Sequence, residues 1–148
     1  MIKKINIILL SLITSLFAFA NNTEYKYLTL AENLSHPWGI AVIDKDNILF
    51  TELSGQLRII ENGVLNPEPI KGIPEVLFAG QGGLSGIILD PEFISNKTIY
   101  LSFSSPDKEK KTNTLEVIRA KLSSGSIDQI ETIFKLSLIH ISEPTRPY

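Results

Sequence analysis

The chain has 148 residues, of which 43% are hydrophobic and 20% charged, so it is long enough for one folded globular domain. Its net charge is −2 at pH 7, and its basic residues form no block beyond Lys108, Lys110 and Lys111, so nucleic acid is not an expected partner. It contains no cysteine, which excludes disulfides, thiolate metal sites and cysteine nucleophiles.

Residues 1–20 have the pattern of a secretory signal peptide. Lys3 and Lys4 precede an apolar run at 5–17, and Ala18-Phe19-Ala20 supplies the small residues that signal peptidase requires. The run is too short to serve as an anchor across a bilayer of about 30 Å. We therefore expect cleavage before Asn21, a product without a stable membrane anchor, and a location in the periplasm or outside the cell.

The segment 21–135 is predicted to be all-β. Short runs rich in Ile, Val, Phe, Tyr and Thr are bounded by Gly, Pro, Asn and Asp, which is typical of strands joined by tight turns. No helix is predicted outside the signal peptide. The predicted strands are 27–30, 39–43, 48–53, 56–61, 75–78, 86–89, 98–104, 114–122 and 128–134.

One pattern occurs twice in this segment. The stretch GIAVIDKDNILFTEL, which begins at Gly39, aligns with GIILDPEFISNKTIYLSFS, which begins at Gly86, and the second copy has the longer turn. A period of about 40–50 residues with four strands in each copy indicates the blades of a β-propeller. Because two blades cannot close a ring, we expect a longer protein.

Residues 136–148 do not fit this pattern. The stretch 136–146, LSLIHISEPTR, resembles a one-frame translation of the end sequence of a transposon-based sequencing adapter. On this interpretation the tail is an artefact, the natural reading frame is lost near Lys135, and His140 has no function. The alternative is a natural disordered tail.

A glycine-rich loop, AGQGGLSGIILDP, occupies residues 79–91. It does not match a dinucleotide-binding loop, because the spacing of Gly80, Gly82 and Gly86 differs and Pro91 stops any following helix. In the repeat, the loop precedes the innermost strand of the second blade, where glycines let the backbone approach a ligand or a neighbouring blade. The amide of Gln81 can donate and accept hydrogen bonds there, which suits a substrate with many hydroxyl groups. The alternative is a plain turn.

Three other side chains near the start of the first blade have predicted structural roles. His36 has no carboxylate partner nearby in the sequence, so a capping or packing role is favoured over that of a general base. Trp38 is predicted to lie in the core. Arg58 is expected to form a solvated ion pair with Glu52 or Glu61 across neighbouring strands.

Four stretches together resemble the opening of the soluble, pyrroloquinoline-quinone (PQQ)-dependent sugar dehydrogenases, the aldose or glucose/sorbosone dehydrogenase family. They are HPWGIAV (36–42), ILFTELSGQLRIIENG (48–63), IPEVLFAGQGGLSGIILDPEF (73–93) and IYLSFS (99–104). The resemblance covers most of 34–135 in the right order and spacing. It implies the N-terminal blades of a six-bladed β-propeller, truncated here to about two blades.

The resemblance also implies a function. The family oxidises the anomeric carbon of aldose sugars to lactones, uses PQQ and calcium, and passes electrons to an external acceptor. It implies that Gln81 contacts a sugar hydroxyl; Ser85 replaces the family's leucine-rich continuation and leaves that glutamine in place.

The family's catalytic histidine, its quinone-binding residues and its calcium ligands lie beyond this chain. We therefore expect no catalytic residue and no metal ligand here, leave the cofactor-binding residues unassigned, and expect the fragment itself to be inactive. DPEF at 90–93 also lacks the pattern of a calcium loop. The alternative function is that of a non-catalytic periplasmic β-propeller that binds sugars or proteins.

Overall fold

The computed structural model describes residues 25–107 and 112–136, and the predicted signal peptide and nearly all of the adapter-like tail lie outside them. Within these residues the chain is all-β, as predicted, with one short helix. The elements are β1 (Pro37–Val42), β2 (Ile48–Glu52), β3 (Gln56–Glu61), β4 (Val64–Leu65), β5 (Leu84–Leu89), α1 (Phe93–Asn96), β6 (Thr98–Asp107), β7 (Thr112–Ser123) and β8 (Ser126–Lys135).

The strands form two four-stranded antiparallel sheets, each with its strands in chain order. The first sheet has the order β1-β2-β3-β4 and the second has the order β5-β6-β7-β8. This is the strand arrangement of two consecutive propeller blades, as the repeat predicts. The part of the chain that the structure describes contains no helix long and apolar enough to cross a membrane.

The hydrophobic core lies between the two sheets. Alternate side chains of a strand point to opposite faces, so each sheet directs one apolar set toward the other. Leu49 and Leu57 of the first sheet and Ile99 and Leu101 of the second are buried in one cluster, which Phe93 of α1 also joins. Burial of one such side chain stabilises the fold by roughly 1.5–3 kcal/mol, so this interface is the main source of stability.

A buried hydroxyl group also connects the sheets. The Gly39 N–H donates to Thr51 Oγ1 over 2.9 Å, and Thr51 Oγ1 donates to the Ser85 carbonyl of the second sheet over 2.7 Å. In the second sheet, the Gly86 N–H donates to Ser102 Oγ over 3.0 Å. The two copies of the sequence repeat therefore contain equivalent hydrogen bonds, each from a glycine N–H to a hydroxyl group on the next strand.

Each blade turns after its first strand around an aspartate. Asp44 accepts hydrogen bonds from both the backbone and the side-chain nitrogen of Asn47, and Asp90 accepts them from the Glu92 N–H and the Asn96 amide. The bond from the Asn47 side chain lowers the pKa of Asp44, and the bond from the Glu92 N–H is the main cause of the lowered pKa of Asp90. The second turn is longer, as the sequence alignment predicts, and it contains α1, which the sequence did not predict.

Two predicted strands are wrong. Residues 27–30 and 75–78 are not strands, because neither forms a ladder with another strand in the described part of the chain. The first segment instead lies along the outer face of the first sheet, where Leu30 and Leu34 line an apolar cleft with Phe50. The second has a backbone bond to β6, from the Leu77 N–H to the Ser104 carbonyl. The sequence analysis also missed β4 and α1, which are too short to show a periodic pattern.

The predictions for Trp38 and Arg58 need correction. Trp38 is 65% exposed rather than in the core, because the pairing of β1 with β2 is irregular between Pro37 and Ile40. Arg58 does pair with Glu52, at 3.6 Å, but the pair is not solvated, since the side chains are 13% and 2% exposed. The segment before β1 covers Glu52, whose carboxylate also accepts the Ser35 N–H over 2.7 Å.

Candidate functional site

The glycine-rich loop begins with a tight turn that has Gln81 at its tip. The Ala79 carbonyl accepts the Gly82 N–H over 2.9 Å, which closes a four-residue turn. The second residue, Gly80, has a φ of +60°, and the third, Gln81, is not in the positive-φ region. This combination is that of a type II′ turn, which favours glycine at the second position. The turn thus fixes the backbone of Gln81, whose side chain is exposed.

The residues that directly follow this turn, Gly83 and Leu84, are held between the two sheets. A Cβ atom at Gly83 would lie 2.3 Å from the Leu53 carbonyl oxygen, so only glycine permits this approach. The Leu84 N–H donates to that same carbonyl over 3.2 Å, and the Ser104 N–H donates to the Gly83 carbonyl over 3.0 Å. The predicted close approach of the glycine loop to the neighbouring blade is therefore confirmed. Gln81 lies three residues before the start of β5.

His36 lies at the same end of the molecule. Its carbonyl accepts the Leu53 N–H over 3.0 Å, so Leu53 is bonded to His36 on one side and to Leu84 on the other. The imidazole is exposed, and its ring centroid lies 5.2 Å from that of Phe78 at an interplanar angle of 59°. The structure thus brings the predicted residues His36 and Gln81 to one rim, together with Phe78.

The Gln81 amide can orient a hydroxylated ligand but cannot take a proton from it. The Gln81 amide offers two N–H donors and one carbonyl acceptor, and it is neutral. An exposed amide on an anchored backbone fits a ligand with several hydroxyl groups. Sequence analysis did not identify Phe78 as a site residue, because it was assigned to a strand, and no local pattern pairs it with His36.

These residues do not fit either of the implied cofactors. PQQ carries three carboxylates, and Gln81, His36 and Phe78 supply no permanent positive charge to hold them. Across residues 25–107 and 112–136 there is no group of three His, Asp or Glu side chains that could hold a metal ion. We therefore derive no chemical step through the quinone or calcium from this chain.

A second, polar cleft of about 400 Å³ lies on the outer face of the second sheet. Its polar groups are bonded to one another: the Tyr100 hydroxyl donates to Asp90 over 2.9 Å, and Arg119 pairs with Glu131. The bond to Asp90 raises the pKa of Tyr100. Asp90 thus stabilises its own turn and supports this network at the far end of β5 from Gln81.

Two blade-like sheets packed face to face, with the glycine loop leading into an inner strand, define the class of protein as a β-propeller. The family model for Glucose / Sorbosone dehydrogenase matches residues 34–142, and the chain belongs to that family. The resemblance identified from the sequence is therefore confirmed.

Three relatives illustrate the similarity. The chain is 36% identical over 109 residues to the aldose sugar dehydrogenase YliI of Escherichia coli K12, a match that covers 72% of this chain and 29% of that protein. A solved glucose dehydrogenase is 34% identical with a TM-score of 0.66, covering 72% of this chain and 34% of that one. The PQQ-bound aldose sugar dehydrogenase of Streptomyces coelicolor, at 24% identity and a TM-score of 0.62, shares the fold over 73% of this chain and 32% of its own. The chain thus spans about a third of the length of these proteins.

Proposed function

We propose that this chain is the N-terminal part of an exported, PQQ-dependent enzyme that oxidises the anomeric carbon of aldose sugars to lactones. Family membership and the similarity to an E. coli aldose sugar dehydrogenase support the reaction. A PQQ-bound structure with the same fold supports the cofactor. The signal-like residues 1–20 support export, and an external electron acceptor is proposed from the family resemblance. Calcium is proposed from the family resemblance.

The observation that carries the proposal for this chain is the exposed amide of Gln81 on an anchored turn. The turn bond between Ala79 and Gly82 and the bonds of Gly83 and Leu84 to the two sheets hold its backbone in place. An amide on an anchored backbone loses less freedom when the ligand binds than one on a mobile loop, so it can position a sugar hydroxyl effectively. Because the amide is neutral, Gln81 orients the sugar and leaves removal of the proton to another residue.

The test is Gln81→Ala in the full-length protein. Loss of one positioning hydrogen bond weakens transition-state binding by on the order of 1–3 kcal/mol. We therefore expect kcat/KM for aldoses to fall by roughly 5- to 150-fold. Quinone affinity is expected to stay close to wild type, because the quinone-binding residues are expected beyond this chain. The unfolding temperature should also stay close to wild type, because the glycines rather than Gln81 determine the turn. Steady-state kinetics at saturating quinone and a separate quinone titration measure both effects.

Gln56→Ala is the matched control, because Gln56 is an exposed glutamine at the start of β3. It is expected to leave the kinetics unchanged. If Gln81→Ala also leaves kcat/KM unchanged, the loop is a plain turn. If it abolishes quinone binding in a folded protein, Gln81 binds the quinone rather than the sugar. Aldose binding by the wild type without quinone-dependent oxidation would support a non-catalytic sugar-binding propeller instead.

A further inference from the structure

We propose that His36 and Phe78 form an aromatic wall beside Gln81 that contacts the C–H face of the sugar ring. This inference rests on the proposed function, because it takes the sugar whose hydroxyl groups Gln81 binds as the ligand of the wall. The two rings lie 5.2 Å apart between centroids, and they are carried by the segments that precede β1 and β5.

The backbone of His36 is held in an unusual conformation. Its φ is +55°, which is uncommon for a residue with a side chain and persists where the surroundings hold it. Its carbonyl is bonded to Leu53, and the N–H of the preceding Ser35 donates over 2.7 Å to the buried carboxylate of Glu52. Arg58 pairs with the same carboxylate. The buried pair of Arg58 and Glu52 thus fixes the segment that presents the imidazole at the surface.

Phe78 is a large apolar side chain that remains 44% exposed beside the loop. The Leu77 N–H donates to the Ser104 carbonyl over 2.8 Å, so the backbone just before Phe78 is tied to β6. Its ring meets His36 in a tilted arrangement, which is a favoured geometry for two aromatic rings. Phe78 thus presents an exposed apolar ring next to an anchored backbone, which is a surface that a ligand can contact.

A pyranose ring has the chemistry that this rim complements. Its edge carries hydroxyl groups and its face carries C–H groups, and binding sites for such ligands combine aromatic lining with a few placed polar groups. Phe78 lies directly before the anchored loop and three positions before Gln81, so one short segment offers both kinds of contact. Because Phe78 is uncharged and Gln81 is neutral, the rim suits a neutral polyol better than an anionic ligand.

The test compares Phe78→Leu with wild type in the full-length protein, since leucine keeps an apolar side chain but removes the ring. We expect KM for aldoses to rise by about 2- to 12-fold, the range that corresponds to one aromatic contact. The kcat value should change less than twofold, because the wall contacts the sugar equally in the ground state and the transition state. Phe78→Tyr should restore KM. His36→Asn, whose side chain tolerates a positive φ, should give a smaller rise.

Phe134→Leu is the control, because Phe134 on β8 is exposed to a similar extent, 48%, at the opposite edge of the second sheet. It should leave KM unchanged. An unchanged KM in Phe78→Leu would overturn the wall, and so would a selective loss of quinone affinity, which would show that the ring contacts the quinone.

Calorimetric titration of the quinone-free protein with an aldose separates the two proposals. If the wild type binds the aldose but does not oxidise it, the proposed function fails, and the dissociation constants of the same variants still test the wall. A rise for Phe78→Leu but not for Phe134→Leu supports the wall, and equal constants for Phe78→Leu and wild type overturn it. If the wild type binds no aldose at all, both the wall and the sugar-binding role of Gln81 are wrong.

Discussion

An equivalent hydrogen bond occurs in each sheet, but the hydroxyl group that accepts it has a different second partner in the two sheets. In both, a glycine N–H of the first strand donates to a hydroxyl of the second, from Gly39 to Thr51 and from Gly86 to Ser102. Thr51 is fully buried and continues across to the Ser85 carbonyl of the other sheet, whereas Ser102 Oγ lies 3.3 Å from Ser85 Oγ within its own sheet. The hydroxyl of Thr51 therefore links the two sheets, whereas the Ser102 hydroxyl contacts groups within its own sheet.

The outer faces of the two sheets extend this contrast. The inner faces are packed together, but Ile40 and Val42 on the first sheet and Ile88 on the second are each more than 60% exposed. Apolar side chains on the face of a strand are typical of surfaces that another layer covers. Each sheet thus has an inner face that packs against the other sheet and an outer face with exposed apolar side chains. The following predictions test that difference.

The largest effect concerns residues 21–148 expressed alone. With apolar side chains exposed on the outer face of each sheet and no disulfide, we expect this chain to aggregate or to unfold without a cooperative transition. It should not oxidise sugars when PQQ and calcium are added. Size-exclusion chromatography, a thermal melt and a dehydrogenase assay measure these properties, and a sharply melting, active monomer would contradict the prediction.

The next effect concerns the contact between the sheets at Gly83. In Gly83→Ala the new Cβ would lie 2.3 Å from the Leu53 carbonyl oxygen, so the sheets must move apart. We expect the free energy of unfolding of the full-length protein to fall by about 3 kcal/mol. Gly80→Ala is the control, because it meets no atom within 4 Å and strains only a positive φ, at about 1–2 kcal/mol. Equal losses would mean that the contact with Leu53 is not limiting.

A smaller effect separates the two hydroxyls. Thr51→Val keeps the shape but leaves the Gly39 N–H and the Ser85 carbonyl without their partner, so we expect a loss of about 2–3 kcal/mol. Ser102→Ala removes the corresponding bond of Gly86 and should cost about 1 kcal/mol. Chemical denaturation of the full-length protein gives both values. A cost for Ser102→Ala as large as that for Thr51→Val would show that Ser102 also connects to another sheet.

The smallest effect is a pH dependence at the two aspartate turns. The folded state holds the pKa of Asp44 and of Asp90 below the ordinary value of 3.8, so each contributes stability above that value, which is lost as the pH falls through the lowered pKa. We expect Asp44→Asn and Asp90→Asn to flatten the fall in unfolding free energy of the full-length protein below about pH 4. Denaturation curves between acidic and neutral pH measure the slope. A slope identical to that of wild type would assign the acid sensitivity to other carboxylates.

The sequence predicts the features that local patterns encode. The strand at 56–61 coincides with β3, and the aligned copies place Gly39 and Gly86 in equivalent hydrogen bonds. Turn residues and alternating apolar residues act over a few positions, so they are visible without the fold. The strand at 27–30 was wrong because alternation alone does not supply a partner strand.

The parts of the site that depend on how the sheets meet could not be predicted. Leu53 brings His36 to the start of β5 through two backbone bonds, and nothing in its side chain signals that role. The contact of His36 with Phe78 follows from that arrangement. Trp38 was placed in the core because tryptophan is usually buried, and the irregular pairing at the start of β1 overrides that tendency. Gln81 could be singled out because the repeat locates its loop; its binding role remains a prediction.

The most direct test of the central claim is a crystal structure of the full-length protein with PQQ and an aldose bound. We predict that the Gln81 amide lies within about 3.2 Å of a sugar hydroxyl, with the sugar ring against Phe78. A sugar bound elsewhere, with Gln81 facing solvent or hydrogen-bonded to the quinone, would contradict the assignment.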